Sequence, residues 1–230
     1  MGDSIELSII MPCLNEAETI ARCIEKAKTG IQRSGVCGEI IIADNGSADG
    51  SPAIAKKLGA RVVPVKEKGY GSALRGGIRA ALGKWILMAD ADDSYDFSEA
   101  DRFVKKLQEG FDLVMGCRLP VGGGTILPGA MPWKNRWLGN PVLSFIGRFF
   151  FKCPAHYFHC GMRGFTRAAF EKMELQTTGV GIGFGVICTG RKHKQRDAGC
   201  NCNSYAEPVR VFHGTTSRPT ARFSGFAAVK

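Results

Sequence analysis

Between Asp112 and Glu171 the sequence contains no acidic residue at all. It also has no run of about 18 apolar residues, so no helix formed from it should cross a bilayer alone. The start, Met-Gly-Asp-Ser-Ile-Glu, lacks the basic segment followed by an apolar one that marks a secretory signal, and Gly2 opens no lipidation motif. No internal repeat is visible. The nine cysteines are an odd number in a chain too large to need disulfide staples, which points to reduced thiols in a cytosolic compartment. Cys200, Cys202 and His193 match no usual zinc spacing. With 44% apolar and 23% charged residues the composition excludes a wholly disordered or collagen-like chain, and 230 residues suffice for one α/β domain.

Charge is unevenly distributed. Residues 1–119 carry 16 Lys and Arg against 17 Asp and Glu, whereas residues 120–230 carry 15 against 4. Lys134, Arg136, Arg148, Lys152, Arg163 and Arg167 fall within the acid-free stretch, a pattern that suits an anionic partner, phosphate above all. Nucleic acid is not expected, because no recognition motif accompanies the charge.

The first half alternates two periods. Residues 6–12, 39–44, 61–65, 84–90 and 112–117 are short apolar runs rich in β-branched residues and read as buried strands. Between them, residues 17–32, 51–58, 72–82 and 98–108 have helical spacing, with start signals at Asp49 or Ser51 and at Ser98. Strand, helix, strand repeated four times predicts an α/β fold with a doubly wound, mostly parallel sheet and helices on both faces. In such sheets ligands bind beyond the carboxyl ends of the strands, where Asn15 and Glu16, the Asp44–Asp49 cluster and Asp90-Ala-Asp-Asp93 all fall. From Gly122 the character changes to loop sequence. Residues 140–152, with Phe145, Ile146 and Phe149 to Phe151 beside Trp133 and Trp137, suit either a membrane interface or a lid on the domain.

Three motifs carry chemistry. Asp90 and Asp92, one residue apart where a buried strand ends, can both reach a hard divalent cation, Mg²⁺ or Mn²⁺, that also holds a diphosphate. Asp93 and Asp96 are left to serve the next helix. Asp44 and Asn45 open a tight turn in which a carboxylate can accept hydrogen bonds from a ribose or a base. Gly69-Tyr-Gly-Ser72 departs from the dinucleotide fingerprint but lets the backbone approach a nucleotide while Lys68 or Arg75 meets phosphate.

Residues 8–16, 42–51, 69–75 and 88–97, four motifs in order, resemble glycosyltransferase family 2, and within it the dolichyl-phosphate or polyprenyl-phosphate sugar transferases. The resemblance implies a GT-A fold and a nucleoside-diphosphate sugar donor over residues 5–179. Residues 5–119 would be the donor half and 120–179 the acceptor and membrane-facing region. By that resemblance Pro12, Asn15 and Glu16 line the nucleotide pocket and Asp44, with Asn45, contacts the nucleoside. Gly69 and Arg75 complete the donor site, and Asp90 and Asp92 hold the metal and diphosphate. Arg118, Arg136 and Arg163 are candidates for phosphate contacts, with Asp92, Arg118 and Arg163 expected to act in catalysis. The partners so implied are a nucleotide sugar, a polyprenyl phosphate and the cytoplasmic membrane surface, where the chain would be peripheral.

The chain departs from this pattern at Ala155, where relatives usually carry an Asp, and again after Gly179. Residues 176–230 hold 8 Lys and Arg against 2 Asp and Glu, and residues 180–230 read as an irregular, divergent tail, either frame-shifted or replaced. Two other functions stay open at this stage: transfer to a glycan or small-molecule hydroxyl, and a catalytically impaired protein that retains nucleotide affinity.

Overall fold

In the computed structural model, residues 4–116, 160–173 and 226–229 are described. The chain begins with β1 (Leu7–Cys13), α1 (Ile20–Ser34), β2 (Gly38–Asp44), α2 (Ser51–Lys57), β3 (Arg61–Pro64), α3 (Tyr70–Ala80) and β4 (Trp85–Met88). A single 3₁₀ turn at Phe97–Glu99 leads into α4 (Ala100–Gln108) and β5 (Leu113–Gly116). Then come β6 (Arg163–Thr166), α5 (Arg167–Met173) and β7 (Phe226–Val229).

The seven strands form one sheet in the order β3-β2-β1-β4-β6-β5-β7. β3, β2, β1 and β4 run parallel, as the βαβ alternation demands. β6 is antiparallel to both of its neighbours, β4 and β5, and β7 is antiparallel to β5. The sheet is therefore mixed on one side. The sequence reading had β5 following β4 and did not anticipate β6, because Arg-Gly-Phe-Thr is too short and too polar at its ends to signal a strand. Nor did it anticipate β7, which lies in the divergent tail.

Alternation along each strand divides the core. Leu7, Ile9 and Met11 of β1, Ile40 and Ile42 of β2, and Leu87 and Val114 pack with Ile20, Ile24, Phe97, Phe103 and Leu107 on one face. Ile10, Ile41, Ile86, Met88, Leu113 and Met115 pack with Leu74 and Ile78 of α3, and with Phe170 of α5, on the other. Both faces are covered, which is why β1 is buried at every position. Each fully buried Leu or Ile contributes about 1.5–3 kcal/mol, so the strands that launch the motif loops are the most firmly held part of the molecule. Among the described residues no helix is long and apolar enough to cross a membrane.

Of the two carboxylates left to serve the next helix, Asp96 does so: in place of Ser98 it caps the 3₁₀ turn before α4, accepting from the Ser98 amide at 3.0 Å. Asp93 caps nothing: it sits in the left-handed region at φ 61 and accepts from Lys26 Nζ at 2.7 Å.

Candidate active site

The parallel register sets Cys13 beside Asp44 and Ile10 beside Met88, so the segments leaving β1, β2 and β4 emerge side by side. Side chains then tie them together. The Asn15 amide donates to Ser47 Oγ at 3.0 Å, and the Ala48 amide donates to Asn15 Oδ1 at 2.8 Å. The Glu16 amide donates to Ser51 Oγ at 2.9 Å and the Ala17 amide to Asp49 Oδ2 at 2.8 Å. Asn15, at φ 61, occupies the left-handed region that Asn tolerates better than most residues, which turns the chain sharply after β1. Asp44 organises its own turn, accepting from the Gly46 amide at 3.2 Å and the Ser47 amide at 3.1 Å.

The segment after β4 is fastened to α1. Thr19 Oγ1 donates to the Ala91 carbonyl at 2.7 Å, and the buried Cys23 thiol donates to the same oxygen at 3.3 Å. Burial pushes that thiol up to about 12, so it stays protonated and serves as a donor. Lys26 and Arg22 flank Asp93, whose side chain is 9% exposed, at 2.7 and 3.7 Å. Replacing Lys26 with Met removes the nearer partner of an almost buried carboxylate, and a loss of about 1–3 kcal/mol is expected in chemical denaturation. Unchanged stability would mean that Arg22 alone neutralises Asp93.

Asp92 is half-buried and accepts from the Ser94 amide at 2.9 Å and from Ser94 Oγ at 2.7 Å, an arrangement that fixes the orientation of its carboxylate. Burial raises the Glu16 carboxyl above the usual glutamate range, and the charges of Asp92, Asp49 and Asp90 push it the same way against a lowering hydrogen bond from Thr19. Three carboxylates, from the loops after β2 and β4, thus act on Glu16 in the loop after β1, a local excess of negative charge that suits a divalent cation. Among the described residues no three His, Cys, Asp or Glu side chains stand close enough to hold a metal by themselves. A pair fits better a cation that arrives with a diphosphate, since Mg²⁺ commonly takes one or two carboxylates plus phosphate oxygens.

Of the other residues singled out in the sequence, Pro12 is buried in β1. Asn45 is buried too, and its amide group is committed to the backbone. Nδ2 donates to the Val65 and Glu67 carbonyls at 3.0 and 2.8 Å, and Oδ1 accepts from the Gly69 amide at 2.9 Å. It holds the 65–69 segment against the turn after β2. Lys68 Nζ donates to the Asn45 carbonyl at 2.6 Å, and Arg75 pairs with Glu67 at 3.0 Å. Arg163 is 4% exposed, with Nε donating to the Cys160 carbonyl at 2.8 Å. Burial draws its guanidinium below the usual range. Arg118, Arg136 and the aromatic stretch at 140–152 lie outside the described residues, as do Ala155 and the Cys200, Cys202 and His193 group.

The sequence reading missed Thr19, Ser47, Ser51, Lys26 and Tyr70. Each works through a hydrogen bond across 20 or more positions, and residue type alone gives no sign of such a partner.

A mixed α/β sheet whose four parallel strands send acidic loops beyond their carboxyl edge has its candidate site where ligands of such sheets bind. Residues 8–174 match Glycosyl transferase family 2, and the chain belongs to that family. It is 39% identical over 175 residues to the low-salt glycan biosynthesis hexosyltransferase Agl6 of Haloferax volcanii, covering 76% of this chain and 41% of that protein. It is 28% identical over 176 residues to the dolichyl-phosphate hexose transferase of the same organism, covering 76% of this chain and 73% of the relative. The fold is similar to glucosyl-3-phosphoglycerate synthase of Mycobacterium tuberculosis, solved with Mn²⁺, UDP and glucosyl-3-phosphoglycerate. There the TM-score is 0.57 at 23% identity, over 79% of this chain and 63% of that one. The chain thus spans about two fifths of the hexosyltransferase it matches at 39% identity.

Proposed function

We propose that the protein is an inverting glycosyltransferase that moves a hexose from a nucleoside-diphosphate sugar to a polyprenyl phosphate at the cytoplasmic face of a membrane. The observation that carries this reading is the bonding of the loops after β1 and β2 to each other and of the loop after β4 to α1, with the Asp90 and Asp92 carboxylates acting on Glu16.

Asn15, Glu16 and Asp44 would receive the nucleoside, with the Gly69 backbone, held by Asn45, closing one side. Asp90 and Asp92 would hold Mg²⁺ or Mn²⁺, whose chemistry is to neutralise charge on the departing diphosphate. A phosphate monoester acceptor is largely ionised at neutral pH, its second pKa being about 6, so no strong general base is needed from the chain. What the acceptor needs is positive charge, and the acid-free stretch, with Arg118, Arg136 and Arg163, supplies it. Attack opposite the leaving group inverts the anomeric centre. The match to a dolichyl-phosphate hexose transferase supports the lipid-phosphate acceptor.

The test is a donor screen with Mg²⁺ or Mn²⁺, comparing polyprenyl phosphate with hydroxyl acceptors and following release of nucleoside diphosphate. Release that requires both the ion and the lipid phosphate is the expected result. Release with hydroxyl acceptors alone overturns the acceptor, and donor binding without turnover overturns the activity.

A further inference from the structure

The loop between β3 and α3 does more than let a backbone approach a ligand. Gly69, at φ 121, turns the chain sharply into α3, and Asn45 Oδ1 anchors its amide at 2.9 Å. That turn delivers the next side chain, Tyr70, across the carboxyl edge of the sheet, where its hydroxyl donates to Asp90 Oδ1 at 2.7 Å. Its ring packs against the apolar cluster under α3.

The other oxygen of Asp90 is confined from a different direction. A Cβ on Gly161 would lie 3.1 Å from Asp90 Oδ2 and 2.6 Å from Tyr95 Oη. Tyr95, 4% exposed, is itself fixed, its oxygen accepting from the Gly161 amide at 2.8 Å. Gly161, two residues before β6, thus has no room for a side chain, because Tyr95 and the Asp90 carboxylate stand in that space. Asp90 thus takes a hydrogen bond on Oδ1 from α3, while Gly161, from a segment far along the chain, lies close beside its Oδ2.

We propose that Tyr70 is a positioning residue for diphosphate capture, its hydroxyl holding the Asp90 carboxylate in the orientation that receives the cation and the donor diphosphate. The proposal rests on the donor-site reading above. A phenol hydroxyl directed at one carboxylate oxygen restricts the rotation of the carboxylate. Partners of this kind commonly alter metal affinity by about 10–100-fold. Phenylalanine keeps the ring and its packing and removes the donor alone, so Tyr70→Phe isolates the function of the hydroxyl.

The experiment uses the full chain and measures Mn²⁺ binding, by electron paramagnetic resonance of the free ion, in the presence of UDP and separately of GDP. In Tyr70→Phe the apparent Mn²⁺ affinity should fall by about 10–100-fold. Nucleotide affinity without metal, and the melting temperature, should stay near those of the parent. In an Asp90→Asn background the same substitution should change Mn²⁺ affinity by less than about twofold, because the group it positions is already altered. If the parent binds Mn²⁺ with nucleotide and Tyr70→Phe binds it equally well, the positioning role is wrong and the donor-site reading stands. If Tyr70→Phe weakens metal-free and metal-dependent binding alike, or adds its full effect on top of Asp90→Asn, the hydroxyl is merely structural and the proposal fails. If the parent itself binds Mn²⁺ with neither nucleotide, the donor-site reading falls and this proposal with it.

Discussion

Asp92→Ala should reduce metal-dependent turnover by about 10²–10³-fold while the protein stays folded, the size of loss seen when a group that stabilises developing charge is removed. The carboxylate is half-buried at the carboxyl edge of the sheet, and its bonds within the protein are both to the next residue but one, Ser94. Losing that local turn costs about 1 kcal/mol, a shift of about 2–4 °C in Tm for a domain of this size. Function and stability are therefore separable here, which they are not for Asp93, whose partners Lys26 and Arg22 belong to α1. Chelation with EDTA should reproduce the loss in the parent and have little further effect on Asp92→Ala. Turnover within about twofold of the parent in the variant would remove Asp92 from the reaction, whatever its neighbours do.

The first half of the fold was legible because two periodicities were strong there. The five apolar runs read as strands are β1 to β5, and the four helical segments lie between them, with boundaries shifted by at most three residues. Those shifts have local causes. α1 begins at Ile20 rather than Ala17 because Glu16 and Ala17 donate their amides to Ser51 and Asp49. α3 begins at Tyr70 rather than Ser72 because Gly69 makes the turn. What was not legible is the antiparallel insertion of β6 between β4 and β5, since its pairing is decided by register across about 80 residues and not by its own four.

The site was legible as a set of loops but not as a set of bonds. Residue types at strand ends marked Asn15, Glu16, Asp44, Asp90 and Asp92. Nothing local distinguished Asn45, which is satisfied by backbone groups, from Asp44 next to it, or the buried Arg163 from the other basic residues of its stretch. Alternation is what separates the first pair: β2 ends at Asp44, and the next residue turns inward beneath the segment it holds. Arg163 occupies the first position of a strand that pairs on both sides, with Met88 and Met115, so its stem is enclosed by the sheet.

Gly30→Ala should destabilise the protein by about 2–3 kcal/mol and lower Tm by roughly 4–12 °C, against the direction that helix propensity alone implies. Gly30 lies inside α1, where alanine is favoured over glycine by about 1 kcal/mol. The position faces the 3₁₀ turn before α4, and an added Cβ would lie 2.1 Å from the Phe97 carbonyl oxygen and 2.9 Å from Ala100 Cβ. The obstacle is backbone, so no rotamer change relieves it; either α1 or the 97–100 segment must move. That segment follows directly from Asp96 and Tyr95, and Tyr95 accepts from Gly161 beside Asp90. The displacement should therefore reach the loop that carries Asp90 and Asp92, giving a fall in turnover alongside the fall in Tm. Gly35→Ala is the contrasting case, with nothing within 4 Å of the added Cβ and only the left-handed backbone at φ 67 to oppose it. Its cost is about 1–2 kcal/mol, with turnover unchanged, because strain at the exposed end of α1 has no path to the site. A Gly30→Ala protein that melts at or above the parent temperature would show that α1 and the 3₁₀ turn do not meet at this distance.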